Sequence, residues 1–389
     1  MIYLDHAATT PLDPRVRDAM LPFLNENWGN PSSIHQHGQR ARHAVDSARE
    51  TIATELHCQP REIIFTSGGT EADNLALRGV MRAGGATTGH LITTTIEHHA
   101  VLHTAEDLEK DGFEVTYLPV DKHGLVTVEQ VEAAIRTDTK LVSVMLANNE
   151  VGTIEPIRDI GKILQKRRER GETAPLLHTD AVQGAGAINL DVRHLKVDLL
   201  SLSAHKCYGP KGIGCLFVKH GVQLRPMQTG GGQEHHQRAG TEHVTGIVGF
   251  AAALQSASEA RETEAARQTE LRDYFIVQLQ KEIAGTQLLG HPTQRLPNNI
   301  CMSFAGIESE SLLLRLDLAG ICASSGSACT SGALEPSHVL LAMGIGTEAA
   351  HSAIRFTLGK NTTKEELDTT VKEIKKITGE LRQLNDKTD

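Results

Sequence analysis

From residue 14 to about residue 214, short apolar runs alternate with amphipathic segments. The apolar runs predict strands at 63–66, 91–94, 114–117, 141–145, 176–179 and 199–202. One of the intervening segments, 127–136, opens on the capping-box spacing of Thr127 and Gln130. Strands that alternate with helices favour right-handed crossovers. The pattern therefore predicts an α/β fold, with a mostly parallel sheet that carries helices on both faces.

The pattern changes after residue 244. A proline-free helical stretch, 244–284, leads into shorter strand candidates at 299–304, 320–323 and 353–358. A last charged helix begins at the capping box of Thr363 and Glu366. These elements indicate a smaller α+β domain. We therefore expect a large domain of residues 15–255 and a small domain built from residues 1–14 and 256–389.

Charge and composition exclude several classes of partner. The 389 residues carry a formal net charge of -9, with acidic and basic residues interleaved, so the basic stripe of a nucleic-acid-binding protein is absent. The longest weakly polar run, 244–254, is far shorter than the roughly 20 apolar residues that a membrane span needs. The first residues lack the pattern of a signal peptide. We expect a cytoplasmic protein that binds neither membranes nor nucleic acid directly.

The six cysteines form no CxxC pair. In a long chain without a secretion signal, we expect them to be reduced thiols, most of them small core residues. The histidine pairs His98-His99 and His235-His236 lack a third ligand at a suitable spacing, so we expect no metal site.

A lysine and an aspartate follow two of the predicted strands. Lys206 comes just after the strand at 199–202, and Asp180 ends the strand at 176–179. The carboxyl edge of such a sheet is where α/β folds bind ligands. A lysine there can form a Schiff base with an aldehyde cofactor, and an aspartate can pair with the protonated pyridine nitrogen of pyridoxal phosphate (PLP). A solvent-exposed loop lysine and a helix-capping aspartate are the alternatives.

The strand at 63–66 runs into Gly68 and Gly69 and then into a predicted helix. Free backbone N–H groups and the helix dipole make this turn a candidate phosphate site, with hydroxyls from Ser67 and Thr70. The segment does not fit GxxxxGK[ST], which argues against a nucleotide P-loop.

Cys329 lies among ten small residues, 324–333. This composition predicts an exposed, mobile loop and sets Cys329 apart from the other cysteines. A chance thiol in a Ser/Gly linker is the alternative. Arg355 interrupts an apolar strand, where its guanidinium requires an anion: a substrate carboxylate or an ordinary salt-bridge partner. His98 follows the strand at 91–94 and can face the same sheet edge.

With these residues identified, the chain resembles the cysteine desulfurases of the NifS/IscS-like group, which are fold-type I PLP enzymes of the class V aminotransferase superfamily. The similarity runs from residue 3 to residue 359 and includes motifs at 29–33, 66–71, 97–98, 148–152, 178–183, 203–214, 238–241 and 325–330. The combination of motifs is specific. It implies the PLP-dependent transferase fold of type I.

The resemblance also implies a role for each matching residue. Lys206 would carry PLP and shuttle protons, and Cys329 would be the nucleophile, with His98 as a candidate activator. The PLP ring would be held by Asp180 at its nitrogen, Gln183 at its ring oxygen and His98 by stacking. Asn149 would bind both the cofactor and the substrate carboxylate, and Arg355 would bind the substrate carboxylate. The phosphate would be bound by Gly69, Thr70, Ser203, His205 and, from the neighbouring subunit of a homodimer, Thr241.

The implied activity is removal of sulfur from L-cysteine, which gives L-alanine and a persulfide on Cys329. The persulfide would then pass to an acceptor protein, such as an iron-sulfur scaffold or a tRNA-thiolation enzyme. A selenocysteine lyase or another class V aminotransferase-like enzyme is the alternative, because it needs Lys206 and Asp180 without a loop cysteine. A non-catalytic platform that retains the fold is a further alternative, against which the intact Lys206, Asp180, Arg355 and Cys329 argue.

Overall fold

The computed structural model describes residues 1–325 and 336–385. The strands are β1 (Ile2–Tyr3), β2 (Ile63–Thr66), β3 (His90–Thr94), β4 (Glu114–Leu118), β5 (Thr139–Ser143), β6 (Leu176–Asp180), β7 (Leu199–Ser203), β8 (Gly214–Val218), β9 (Thr286–Leu289), β10 (Asn299–Phe304), β11 (Ile321–Cys322), β12 (Ser324–Ser325) and β13 (Ala353–Thr357). The helices are α1 (Pro14–Met20), α2 (Pro22–Asn25), α3 (Gln36–Glu55), α4 (Gly69–Met81), α5 (His99–Lys110), α6 (Val128–Ala134), α7 (Ile157–Glu169), α8 (Val192–Leu195), α9 (Val244–Glu282), α10 (Ser309–Leu318), α11 (His338–Ala342), α12 (Thr347–His351) and α13 (Lys364–Asn385).

The large sheet has seven strands within the described residues, in the order β2-β8-β7-β6-β5-β3-β4. Strands β3 to β7 pair in parallel, whereas β8 runs antiparallel to both β2 and β7. The four-stranded antiparallel sheet β12-β13-β10-β9 is separate, and β1 pairs with β11. The predicted α/β class, with a mostly parallel sheet and a smaller α+β part, is confirmed.

Individual elements differ from the predictions at their ends. The strand predicted at 141–145 is Thr139–Ser143, two residues earlier. The strand predicted at 320–323 is only β11, Ile321–Cys322, and β12 follows it in a different sheet. The helix predicted at 127–136 is Val128–Ala134, although both halves of its capping box form. Strand β8 was not predicted, because no helix precedes it. It returns antiparallel after only a short turn and loop.

Alternate residues of the large sheet enter two apolar cores. Leu200 contributes to the core under α3 and the start of α9, and its neighbour Leu199 contributes to the core under α4 and α5. This follows from the two-residue period of a strand. A further core lies between α9, α10, α13 and the four-stranded sheet, with Phe275 and Phe356 in edge-to-face contact at 5.4 Å.

Helix α9 spans 39 residues and takes part in two of these cores. Its first third places Ile247, Phe250 and Leu254 in the core of the large sheet, and its last third places Phe275 and Leu279 in the core of the smaller part. The N-terminal segment makes a second connection, because β1 pairs with β11 while Thr10 N–H donates to the carbonyl of His205 at 3.0 Å. Within the described ranges, no helix is long and apolar enough to cross a membrane.

Candidate active site

The turn after β7 places Lys206 at the carboxyl edge of the large sheet. Its Nζ donates to the carbonyls of Ala7 and Ala8 at 2.5 and 2.8 Å, and the amide of Gln183 donates to the same Ala7 carbonyl at 3.2 Å. A cleft of about 810 Å³ opens beside Lys206 and Gln183, between the N-terminal segment and α9. The lysine is therefore half-buried and hydrogen-bonded, which excludes the solvent-exposed loop alternative.

Asp180 ends the neighbouring strand β6 and is 7% exposed. Its Oδ1 accepts from the N–H of Val182 at 2.9 Å within a turn, and the next helix begins only at Val192, so Asp180 does not cap a helix. Burial raises the pKa of Asp180, while the Val182 N–H and the charge of Lys206 oppose that rise. The carboxylate is thus poised to gain a strong partner, and a protonated ring nitrogen fits it.

The N-terminus of α4 forms a cradle that a side chain would fill. Gly68 has φ 154°, and no side chain caps the helix. A Cβ on Gly69 would lie 2.7 Å from Cγ2 of Val182, and one on Gly68 would lie 3.7 Å from Oγ of Ser203. Thr70 follows in the first turn and is exposed. Uncapped N–H groups, a hydroxyl and a positive helix end suit a phosphate, so the donor set fits PLP.

Two histidines that lie within the influence of the Lys206 charge are in the uncharged state. Burial and the charge of Lys206, with smaller contributions from nearby histidines, lower the pKa of His98 to about 4. Burial and the charge of Lys206 also lower the pKa of His205 to about 4, and His205 Nδ1 lies 3.2 Å from Oγ1 of Thr9. The Nδ1 of His98 accepts from the N–H of Ala100 at 3.1 Å, as the N-cap of α5. At neutral pH, His98 is therefore not a cationic activator.

Arg355 lies in β13, 3% exposed, at the boundary between the two parts of the chain. It donates to the carbonyl of Asn149 at 3.0 Å and forms an ion pair with Asp5 at 3.0 Å. The salt-bridge alternative is thus present in the structure. Its Nε, however, is buried without a partner among the described residues. That leaves an unmet donor for a second anion.

Two predicted site residues remain, Thr241 and Cys329. Thr241 is exposed and makes no hydrogen bond to the predicted site residues within the described part of the chain. Cys329 lies outside the described residues. Burial raises the pKa of every cysteine that the structure does describe, including Cys207 and Cys301, both to about 12. Those thiols are not thiolates at neutral pH, so they are poor candidates for a nucleophile.

Sequence reasoning missed a contact that joins the substrate region to the start of α11. The hydroxyl of Ser337 donates to Oε2 of Glu150, next to Asn149. His338 Nε2 lies 3.0 Å from the carbonyl of Glu97. The signal in the sequence is the polar motif 148–152, of which the prediction uses only Asn149, for the cofactor and the substrate carboxylate. In the 1–325 and 336–385 ranges, no group of three or more His, Cys, Asp or Glu side chains is arranged to hold a metal ion.

Glu150 gives a prediction for stability. Burial raises the pKa of Glu150 to about 7, against the opposing effects of Ser337 and Arg355. The folded state then holds a proton that the unfolded state releases above its pKa of 4.5, so stability falls as pH rises from about 4.5 to 7. In Glu150→Gln this loss should be absent. The free energy of unfolding should therefore fall by about 3 kcal/mol less between pH 5 and pH 8 than it does in the unmodified protein.

Urea unfolding at several pH values measures this difference, with the exposed Glu129→Gln as the matched control. Parallel stability curves for Glu150→Gln and the unmodified protein would contradict the assignment.

The chain is similar to known proteins over nearly its whole length. Residues 2–370 match the family model described as Aminotransferase class-V. The cysteine desulfurase IscS of Dictyoglomus turgidum is 51% identical over 99% of this chain and 96% of its own length, and that of Methanosarcina thermophila is 49% identical over 99% and 93%. A solved NifS-like protein superposes with a TM-score of 0.90 at 40% identity, covering 97% of this chain and 99% of the other.

The chain therefore belongs to the class-V aminotransferase family. The cysteine desulfurases of this family are PLP-dependent enzymes. Within that family it groups with the cysteine desulfurases of the NifS/IscS-like type, as the sequence motifs predicted.

Proposed function

We propose that this protein is a PLP-dependent cysteine desulfurase that converts L-cysteine to L-alanine and leaves the sulfur as a persulfide on Cys329. The observation that carries the proposal is the meeting of Lys206 and Asp180 at one sheet edge, beside an uncapped helix N-terminus. Arg355, whose buried Nε has no partner among the described residues, supplies a site for the substrate carboxylate.

PLP, when bound, supplies an electron sink for the carbanion at the substrate Cα. Lys206 would attach the cofactor and, once released, would move the proton at the substrate Cα. Asp180 would hold the proton on the ring nitrogen, and Gln183 would donate to the ring oxygen. His98, in its neutral form, would stack on the ring. The backbone of Gly69, together with Thr70, Ser203 and His205, would hold the phosphate.

Arg355 and Asn149 orient the substrate so that its sulfur faces Cys329. The thiolate of Cys329 attacks that sulfur, an S–S bond forms, and the Cβ–S bond of the substrate breaks. The electron pair of the broken bond remains with the carbon, which takes up a proton to give L-alanine. The thiol of Cys329 and L-cysteine thus become a persulfide and L-alanine, with all atoms accounted for.

The remaining features of the proposal concern the assembly. The protein acts as a cytoplasmic homodimer in which Thr241 reaches the phosphate of the neighbouring subunit, and exposure of Thr241 in the single chain supports this. The persulfide passes to an acceptor protein, such as an iron-sulfur scaffold or a tRNA-thiolation enzyme. The division into residues 15–255 and residues 1–14 with 256–389 is supported by the change of core along α9.

Sulfur transfer tests the proposal. Purified protein with PLP and L-cysteine should form one L-alanine per sulfur, with the first sulfur found by mass spectrometry on Cys329. Borohydride should fix the cofactor on Lys206. Cys329→Ser should abolish the persulfide, whereas Cys58→Ser, a thiol far from the sheet edge, should retain it. Full sulfur release from L-cysteine by Cys329→Ser would contradict the persulfide step, and turnover of selenocysteine alone would favour a selenocysteine lyase.

Arg355 gives a second prediction. Arg355→Lys keeps the positive charge but loses the planar fork that binds a carboxylate through two donors. We expect the KM for L-cysteine to rise about 10- to 100-fold, with a smaller change in kcat. Steady-state kinetics measures both.

Asp5→Asn is the matched control, because it removes the ion-pair partner and leaves the guanidinium in place. If Arg355 serves only that ion pair, Arg355→Lys and Asp5→Asn will both lower stability and leave the KM unchanged.

A further inference from the structure

A cluster of polar side chains lies next to Asp180, on the face of the large sheet that α4 covers. His178 and Asp180 are two residues apart in β6 and therefore share that face. Asp73 of α4 packs against them and is 1% exposed. Ser143 of β5 and Ser201 of β7 complete the cluster, and both are fully buried. The proposed partner of the ring nitrogen is thus backed by a second carboxyl group.

Asp73 and His178 do not form an ion pair. Oδ1 of Asp73 is 3.6 Å from Nε2 of His178, well beyond the roughly 2.7–2.9 Å of a charge-assisted hydrogen bond. Both ring nitrogens of His178 already have partners, with Oγ of Ser143 at 2.8 Å and Oγ of Ser201 at 3.0 Å. Burial lowers the pKa of His178 to about 3. The imidazole is therefore neutral and provides no counter-charge.

Among the described residues that act on Asp73, no cation offsets a negative charge on it. Oδ1 of Asp73 is buried without a hydrogen-bond partner among the described residues. Its ionisable neighbours are the carboxyl groups of Asp180 and Glu97, and only the Ser201 hydroxyl favours an ionised Asp73. Burial, together with those two carboxyls, raises the pKa of Asp73 well above its usual range. An unpaired carboxylate in such a place is costly, and the group instead keeps its proton.

Glu97, like Asp73, is a buried carboxyl group whose pKa is raised. Its Oε1 accepts from the hydroxyl of Thr94 at 2.8 Å and from the N–H of Met145 at 2.9 Å, but its Oε2 is buried without a partner in the described part of the chain. Burial raises the pKa of Glu97 to about 8. Asp180 differs from both carboxyls, because the positive charge of Lys206, in addition to the Val182 N–H, favours its ionised form.

We propose that Asp73 is held as an uncharged carboxylic acid and acts as a positioning residue for Asp180. Together with neutral Glu97, it leaves Asp180 as the one carboxylate of the cluster that ionises against the ring nitrogen of PLP. Asp73 and Glu97 thus form a polar, uncharged wall that supports the single charge on Asp180 without adding a second charge. This inference rests on the proposed function of Asp180 as the partner of the ring nitrogen.

The first test is on the protein without cofactor. Infrared difference spectroscopy of Asp73→Asn against the unmodified protein at neutral pH should show the loss of one protonated-carboxyl band. The exposed Asp46→Asn is the matched control and should show the loss of a carboxylate band instead. Loss of a carboxylate band in Asp73→Asn would overturn the inference. This result does not depend on whether the protein is a desulfurase.

The second test is the affinity for PLP across pH, measured by the cofactor absorbance. Asn is a neutral isostere, so Asp73→Asn should bind PLP within about threefold of the unmodified protein. Asp73→Leu removes the polar wall and desolvates Asp180 further, so the acid limit of PLP binding should move to higher pH by roughly one unit.

A tenfold weaker affinity in Asp73→Asn would mean that a negative charge was lost, and would overturn the inference. An unmoved pH limit in a folded Asp73→Leu would reduce Asp73 to a structural role and overturn it too. Failure of the unmodified protein to bind PLP would instead contradict the proposed function. If Asp73→Leu does not fold, the Asp73→Asn spectrum and affinity still decide the question.

Discussion

An Asp180→Asn variant is expected to form L-alanine from L-cysteine at least about a thousandfold more slowly than the unmodified protein, a loss of about 4 kcal/mol of transition-state stabilisation. Oδ1 of Asp180 is occupied by the Val182 N–H, which leaves Oδ2 for the ring nitrogen. Asparagine has the same shape but no charge, so it cannot hold a proton on that nitrogen. Single-turnover measurements at saturating PLP give the rate of the chemical step.

The exposed Asp46→Asn is the control for the loss of one negative charge and should turn over normally. The affinity of Asp180→Asn for PLP should also fall, since a charge-assisted hydrogen bond is replaced by a neutral one. A rate within tenfold of the unmodified protein would show that Asp180 does not hold the proton on the ring nitrogen.

Removal of Glu234 is expected to cost about 3–5 kcal/mol of folding stability, because it leaves the guanidinium of Arg49 buried and uncompensated. The two side chains are 3% and 8% exposed and form two parallel hydrogen bonds at 2.7 and 2.8 Å. Glu234 also accepts from the N–H of Phe65 at 2.9 Å. Urea unfolding of Glu234→Ala measures the loss.

This ion pair also anchors a strained turn. Glu234, His235 and His236 have φ values of 47°, 56° and 64°, a left-handed conformation that costs roughly 1–2 kcal/mol per residue.

The apolar double variant Arg49→Met/Glu234→Leu should lose less stability than the sum of the single losses, because no charge is left buried. Additive losses in that double-mutant cycle would mean that the two side chains act independently.

Much of the fold could be predicted because the strands of the large sheet, apart from the partly exposed β4 at its end, are buried on both faces and stand out as apolar runs. The strand at 63–66 was located to the residue. Strand β8 is missing from the prediction, because its apolar residues follow the Lys206 segment without an α-helix between them. The placement of β11 and β12 in different sheets depends on their pairing with β1 and β13, which lie elsewhere in the sequence.

For the site, sequence order predicted where Lys206, Asp180 and the glycines of 68–69 meet, because the carboxyl ends of parallel strands share one edge. The sequence order could not predict the buried side chains that lie behind these residues. Asp73 lies three residues after Thr70, and a helical period places both near the sheet edge, but nothing in the sequence marks it as unpaired. The contact between Ser337 and Glu150 joins residues 187 positions apart.

The shared helix α9 has a consequence for how the molecule melts. At 1.5 Å per residue its 39 residues extend about 58 Å, and its two ends are fixed in different cores. Neither core can lose its packing without fraying the helix that the other needs. Heating should therefore produce one cooperative transition, with equal calorimetric and van't Hoff enthalpies, although the chain contains two structural units.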